Sequence, residues 1–184
     1  MAKRRVLIQS VFLGLVYLGI FFNSIPVDAL TLKLKNGFSG KVYIPEQFDF
    51  SKPSTLIIAL HGIRQSAESA YEKWQPVAKA YQMILLCPQG SDYIQAYRRS
   101  PVDDRQNIRQ LRNKLMSLYP IKENDVWMVG FSRGGNLAVE MGVLYPKEFS
   151  KVICLFGFYN SFFNTTFKKE QLSTLIVLFY NWKK

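Results

Sequence analysis

The sequence predicts an α/β protein, a three-layer sandwich in which helices cover both faces of a mostly parallel sheet. Three observations support this. Apolar runs without alternation, which are typical of strands buried on both faces, alternate along the chain with segments of helical spacing. Residues 30–44 instead alternate apolar and polar side chains around two glycines, which predicts an opening antiparallel hairpin. The 184 residues, 48% of them hydrophobic, suffice for one domain with a buried core and exclude a disordered protein.

The first 29 residues are expected to be a targeting segment and not part of the fold. A basic start at residues 3–5 precedes an apolar run from Val11 to Phe22, and Val27-Asp28-Ala29 supplies small residues where a signal peptidase cleaves. This pattern predicts a signal peptide at 1–29 and a secreted or periplasmic protein. The alternative is an uncleaved membrane anchor through residues 6–22, a stretch of 17 residues at the short edge of a spanning helix. We expect membrane contact only through that segment.

The net charge of +11 does not by itself indicate a nucleic-acid partner. Residues 1–29 carry three basic groups and one acid, so residues 30–184 keep +11 − 2 = +9. Those basic residues are scattered and are not interleaved with aromatic residues, so we expect no nucleic-acid binding. The sequence has no metal-ligand cluster and no phosphate-binding loop, so we expect no metal and no cofactor. Oligomeric state is not readable.

The first half of the chain is predicted to hold four strands and one helix. Pro76 is expected to kink or restart that helix, whose spaced apolar residues run from Tyr71 to Tyr81. The strands are predicted at Leu30–Lys35, Lys41–Ile44, Thr55–Leu60 and Met83–Cys87.

The second half continues the alternation. Asp103 and Asp104 are good helix-start residues, and a helix with its apolar face toward the core is predicted through Leu118. Another helix follows Ser132 and ends at Tyr145-Pro146. The strands are predicted at Val126–Val129, Lys151–Phe156 and Ser173–Phe179.

The rest of the chain is organised around the turn between Val126–Val129 and the helix after it. This turn has the pattern G-x-S-x-G, with Ser132 at its apex and Gly130 and Gly134 two residues before and after it. So tight a turn strains the apex backbone, holds the apex side chain above the sheet and aims the first helix amides at the same place. The pattern favours a nucleophilic serine. The alternative is an ordinary strand–helix turn with a capping serine.

Four segments together resemble the α/β-hydrolase superfamily, on the side of the small serine esterases. The likeness is to phospholipase/carboxylesterase-like proteins and to polyhydroxybutyrate-depolymerase or feruloyl-esterase-like proteins, and it extends from about Leu30 to about Phe179. It implies one α/β-hydrolase domain at 30–184. The matching segments are Leu60–Ala67, Leu86–Gly90, Asp125–Ala138 and Tyr145–Phe149.

The resemblance implies acyl transfer on a small-molecule ester. Ser132 would attack the ester carbonyl. The amide of Arg133, together with that of Ile63 in the loop after Leu60, would form the oxyanion hole, and Gly130 and Gly134 would be the glycines of the tight turn. His61 belongs to that loop and is expected to be structural, with a catalytic base as the alternative. The substrate is not specified, because the aromatic residues near the expected mouth could face an acyl group or simply pack. These are Tyr93, Tyr97, Tyr159, Phe162 and Phe163.

The sequence departs from the family after Ser132. The family places an aspartate and then a histidine there, but this chain has one histidine, His61, and only Glu140, Glu148 and Glu170 as later acids. The resemblance therefore implies a C-terminally truncated domain, without the last strand and helix and with poor hydrolysis. The alternatives are a catalytically dead protein that binds an acyl ligand or a partner, and a structural domain without pocket chemistry.

The strand order that the resemblance implies bears on the two cysteines. It puts two strands between Cys87 and Cys154, so that three strand spacings of about 4.8 Å separate them by roughly 14 Å. A disulfide needs Cα atoms within about 7 Å. We expect both thiols to be unpaired.

Overall fold

The computed structural model describes residues 30–157. The predictions for residues 1–29 and for the strand Ser173–Phe179 lie outside this range. The elements in chain order are β1 (Leu30–Lys33), β2 (Ser39–Tyr43), β3 (Ser54–Leu60), α1 (Ala67–Ala80), β4 (Ile84–Pro88), α2 (Asp104–Leu118), β5 (Ile121–Phe131), α3 (Arg133–Leu144) and β6 (Lys151–Leu155).

Within residues 30–157 the strands form one six-stranded sheet in the order β1-β2-β4-β3-β5-β6. Strands β4, β3, β5 and β6 are parallel, whereas the β1–β2 hairpin is antiparallel and joins β4 antiparallel. Gly37 turns the hairpin with a φ of 89°, a left-handed conformation that glycine adopts without steric cost. The predicted α/β fold with an N-terminal antiparallel hairpin is confirmed.

The core has two apolar layers, one on each face of the sheet. Strand β3 supplies both, because Leu56, Ile58 and Leu60 point to one face and Ile57 and Ala59 to the other. Helices α2 and α3 cover the first face and α1 covers the second. Each fully buried leucine or isoleucine stabilises the fold by about 1.5–3 kcal/mol relative to an exposed one. Among residues 30–157 no helix is both long and apolar enough to cross a bilayer.

Helix α1 starts four residues before the predicted apolar spacing and passes through Pro76. Ser66 caps it, because the Ser66 hydroxyl accepts from the amide of Ser69 while the Ser69 hydroxyl accepts from the amide of Ser66. The expected restart at Pro76 does not occur. Proline cannot donate a backbone hydrogen bond. The helix nevertheless continues through Pro76, because its capped start and the buried alanines on its sheet side stabilise it.

Strand β5 is longer than predicted, beginning at Ile121 instead of Val126. Its first part pairs with β3 through Ser54 and Ile121, with an irregularity in register before Leu56. This part was not predicted because its sequence, Lys-Glu-Asn-Asp, is polar. Exposed polar side chains lack the apolar pattern by which a buried strand is recognised.

The predicted state of the cysteines is confirmed. Cys87 lies in β4 and Cys154 in β6, with β3 and β5 between them, and both thiols are free and buried. Each behaves as a small apolar core residue.

Candidate active site

The G-x-S-x-G segment forms a strained turn from β5 into α3. Ser132 has φ 52° and ψ −118°, a left-handed backbone that costs a non-glycine residue about 1–3 kcal/mol. Two hydrogen bonds hold it, from the Ser132 amide to the Leu155 carbonyl (2.7 Å) and from the Asn136 amide to the Ser132 carbonyl (3.1 Å). The Ser132 side chain is half-buried and does not cap the helix. The alternative of an ordinary capping serine is therefore not what the structure has.

Glycine is required at both flanking positions because backbone atoms occupy the space of a side chain. A Cβ on Gly130 would overlap the carbonyl of Gly134, and a Cβ on Gly134 would overlap the carbonyls of Leu60 and His61. The start of α3 is thereby pressed against the end of β3 and the loop that follows it. These two contacts bring the Ser132 turn and the loop of Ile63 to the same end of the sheet.

The two amides proposed for the oxyanion hole lie on either side of the contact between the start of α3 and the end of β3. Arg133 is the first residue of α3, where a helix amide has no intrahelical acceptor. Ile63 lies in the loop after β3, and its amide has no acceptor among residues 30–157. The loop contacts the turn, since a Cβ on Gly62 would stand 3.1 Å from Phe131 Cδ1 and 3.3 Å from the Phe131 carbonyl oxygen. That both amides bind one oxyanion stays a prediction.

His61 is a buried structural residue with both ring nitrogens engaged. The Gly90 amide donates to Nε2 at 3.1 Å, and since an amide can only donate, the ring proton is on Nδ1, 2.8 Å from the Gly62 carbonyl. Burial lowers the pKa of His61, although the Gly62 carbonyl and the charge of Asp104 oppose the shift. A neutral ring with no free lone pair cannot take a proton from Ser132.

A buried network that sequence reasoning missed fixes the neighbouring loop between β4 and α2. The Tyr97 hydroxyl accepts from the His61 amide at 2.9 Å, so Tyr97 packs and does not face a ligand. Asp104 is fully buried, and its Oδ2 accepts from the amides of Ser91 (3.0 Å) and Arg98 (2.9 Å) and from the Ser91 hydroxyl (2.8 Å). The sequence signal that could have indicated this network is the Asp103-Asp104 pair. Only Asp103 is needed as the helix cap, which leaves Asp104 for another role.

The acids that follow Ser132 within the described range are occupied elsewhere. Glu140 is 2% exposed and pairs with Arg99 and Arg105, and Glu148 pairs with Arg109. Glu170 lies outside the described residues. In residues 30–157 no group of three or more His, Cys, Asp or Glu side chains could hold a metal ion.

The fold is similar to those of solved hydrolases and esterases. An S-formylglutathione hydrolase from Staphylococcus aureus matches 78% of this chain with a TM-score of 0.60 at 17% identity. A thermostable esterase matches 82% with a TM-score of 0.62 at 17% identity. Poly(aspartic acid) hydrolase-1 from Sphingomonas sp. KT-1 matches 82% with a TM-score of 0.62 at 15% identity. At these identities the likeness establishes the fold, which is that of the α/β-hydrolases.

The chain is shorter than these proteins. It spans 62% of the length of the S-formylglutathione hydrolase, 44% of the esterase and 70% of the poly(aspartic acid) hydrolase. No family model and no curated protein sequence matches the chain.

Proposed function

We propose that this chain, which has the α/β-hydrolase fold, is a serine hydrolase of carboxylic esters whose acyl-accepting nucleophile is Ser132, with low turnover by these 184 residues alone. The observation that carries the proposal is the left-handed backbone of Ser132 at the uncapped start of α3. A protein tolerates such strain where the surrounding structure fixes it, and glycines 130 and 134 supply that fit here.

In the proposed reaction the Ser132 oxygen attacks the ester carbonyl carbon. The carbonyl π electrons move to oxygen, and the amides of Arg133 and Ile63 donate to the resulting oxyanion. The oxyanion collapses, the bond to the alcohol oxygen breaks, and the alcohol leaves with the serine proton. Water then hydrolyses the acyl-Ser132 ester and releases a carboxylic acid.

Turnover is limited by the removal of the serine proton. A serine hydroxyl is a weak nucleophile without an adjacent base, and loss of triad members costs about 10⁴–10⁶-fold in turnover. His61 has no free lone pair, and Glu140 and Glu148 are paired with arginines. Solvent would therefore accept the proton and pass it to the departing alkoxide.

A second candidate is a catalytically dead hydrolase-like protein that binds an acyl ligand. The engagement of both His61 nitrogens favours it, because the same loop and helix amides could hold a carbonyl oxygen without any chemistry.

A fluorophosphonate probe and a p-nitrophenyl ester together separate the two candidates. We expect slow labelling of Ser132, located by peptide mass spectrometry, and ester hydrolysis barely above background. Ser132→Ala should abolish the label and change the hydrolysis little. Ser91→Ala is a matched control. The Ser91 hydroxyl donates to Asp104 and should not be labelled, so its removal should leave the label unchanged.

Three results are informative. Labelling at Ser132 with near-background turnover supports the proposal. An unlabelled Ser132 in the folded protein contradicts it and leaves the binding protein. Fast turnover that Ser132→Ala abolishes would mean that an unidentified base serves Ser132, which contradicts the low-turnover part.

A further inference from the structure

A polar cleft lies at the opposite end of the sheet from Ser132. It has a volume of about 430 Å³, within the usual range of small-molecule sites, although it is open to solvent. Glu123 lies near the start of β5 and Ser132 follows its end, so at about 3.3 Å per residue the two are roughly 30 Å apart. The cleft is lined by Arg112, Asn113, Met116, Ser117, Glu123 and Lys147.

Arg112 is a buried cation without a carboxylate partner. It is 8% exposed, and its one hydrogen bond within residues 30–157 runs from Nη1 to Asn113 Oδ1 at 2.8 Å. Its Nε is buried without an acceptor, and the guanidinium stands over the ring of Phe149 at 6.0 Å. Burial lowers the pKa of Arg112, although the charges of Glu148 and Glu123 oppose the shift.

The other arginines of α2 have the carboxylate partners that Arg112 lacks. Arg105 is paired with Asp103 and Glu140, and Arg109 with Glu148. Arg112 is the one arginine of this helix for which residues 30–157 supply no ion pair. Removing a guanidinium from water is costly unless an anion compensates it. An anion in the cleft would do so.

The charges and the donor geometry of the cleft both bear on what that anion can be. Lys147 is exposed on the lining and adds a second positive charge, whereas Glu123 adds a negative one. A doubly charged ligand would be repelled by Glu123 about twice as strongly as a singly charged one, and attracted by Arg112 and Lys147 about twice as strongly, so charge favours an anion without setting its valence. A carboxylate carries one charge, and its two oxygens match the planar donor geometry of a guanidinium.

We propose that this cleft binds a small carboxylate-bearing molecule, whose carboxylate accepts hydrogen bonds from Arg112 and Lys147. The site is independent of Ser132 and of the proposed esterase activity. Glu123 opposes any anion in the cleft and lowers the affinity that Arg112 and Lys147 provide.

Titration of the full chain with acetate, followed by amide chemical shifts in two-dimensional NMR at constant ionic strength, tests the site. We expect saturable shifts at residues 112–117, 123 and 147, and none with acetamide, which is the neutral analogue. Arg112→Gln should weaken acetate binding by about tenfold or more, as the loss of a hydrogen bond to a charged group does. Lys147→Gln should weaken it by about threefold to fivefold, since this lysine is exposed.

Two further variants sharpen the result. Lys114→Gln removes the same charge from α2 outside the lining and should leave acetate binding unchanged. Glu123→Gln should strengthen phosphate binding more than acetate binding. If Arg112→Gln does not fold, the comparison of Lys147→Gln with Lys114→Gln decides the question. Equal responses to acetate and acetamide, no saturable shift at the cleft, or equal weakening by Lys147→Gln and Lys114→Gln would overturn the proposal.

Discussion

At the scale of single residues, His61 sets the pH response of the fold near neutrality. Its pKa is lowered from the ordinary 6.5, chiefly by burial, and it is the one histidine in the chain. As the pH falls below about 6.5, the unfolded chain binds a proton that the folded protein excludes. The contribution of His61 to stability is therefore complete well above that pH and is lost as the pH falls through it, until the folded pKa is reached.

We predict that the free energy of unfolding falls between about pH 7 and pH 5.5, with a slope of up to about 1.4 kcal/mol per pH unit. Urea unfolding at several pH values measures it. His61→Gln should abolish this slope, because the carboxyls of Asp92 and Asp103 have lowered pKa values and titrate at more acidic pH. The same slope in His61→Gln would assign the effect to another group.

At the scale of elements, ion pairs link α2 and the loop before it to α3. Glu140 of α3 is 2% exposed and receives Arg99 from the loop and Arg105 from α2, the latter at 2.9 Å from Nη1. The two arginines are each more exposed than the glutamate they bind. The glutamate is therefore the group that depends on the pairing, since an unpaired buried carboxylate is costly.

Glu140→Gln should lower the free energy of unfolding by about 2 kcal/mol, because it weakens two charge-assisted hydrogen bonds while preserving shape. Glu46→Gln is the matched control, because Glu46 pairs with Lys79 at an exposed site and should have little effect. Denaturant unfolding at neutral pH compares the two variants. Equal destabilisation would show that burial does not set the strength of these pairs.

At the scale of the whole molecule, the strand order places every chemical feature. It brings the Ser132 turn next to the loop after β3, keeps two strands between the cysteines and puts the Arg112 cleft at the far end of β5. Parallel strands joined by helices produce this arrangement, because the loops after the carboxyl ends all meet at one edge.

The cysteines report on that order in solution. Thiol titration of the unfolded, unreduced protein should find both Cys87 and Cys154 free. Prior reduction should not raise the thiol count, which is the control. An intramolecular disulfide would require Cα atoms within about 7 Å and would contradict the strand order.

The sequence alone determined the alternation of strands and helices, the hairpin and the Ser132 turn. These features depend on apolar periodicity and on closely spaced glycines, which are patterns that a short stretch of sequence contains in full. It did not determine the full length of β5, because the first part of this strand is mostly exposed and polar and carries no apolar signal.

Only the tertiary structure decided the roles of His61, Asp104 and Arg112. His61 is engaged by Gly90 and Tyr97, which are 29 and 36 residues away along the chain. Asp104 starts α2 as predicted, and its second role as a buried acceptor was not predictable. Arg112 lies on the same helix as Arg105 and Arg109, which have carboxylate partners. The physical reason is that hydrogen-bond partners and desolvation depend on which distant segments meet, and no short sequence window contains that information.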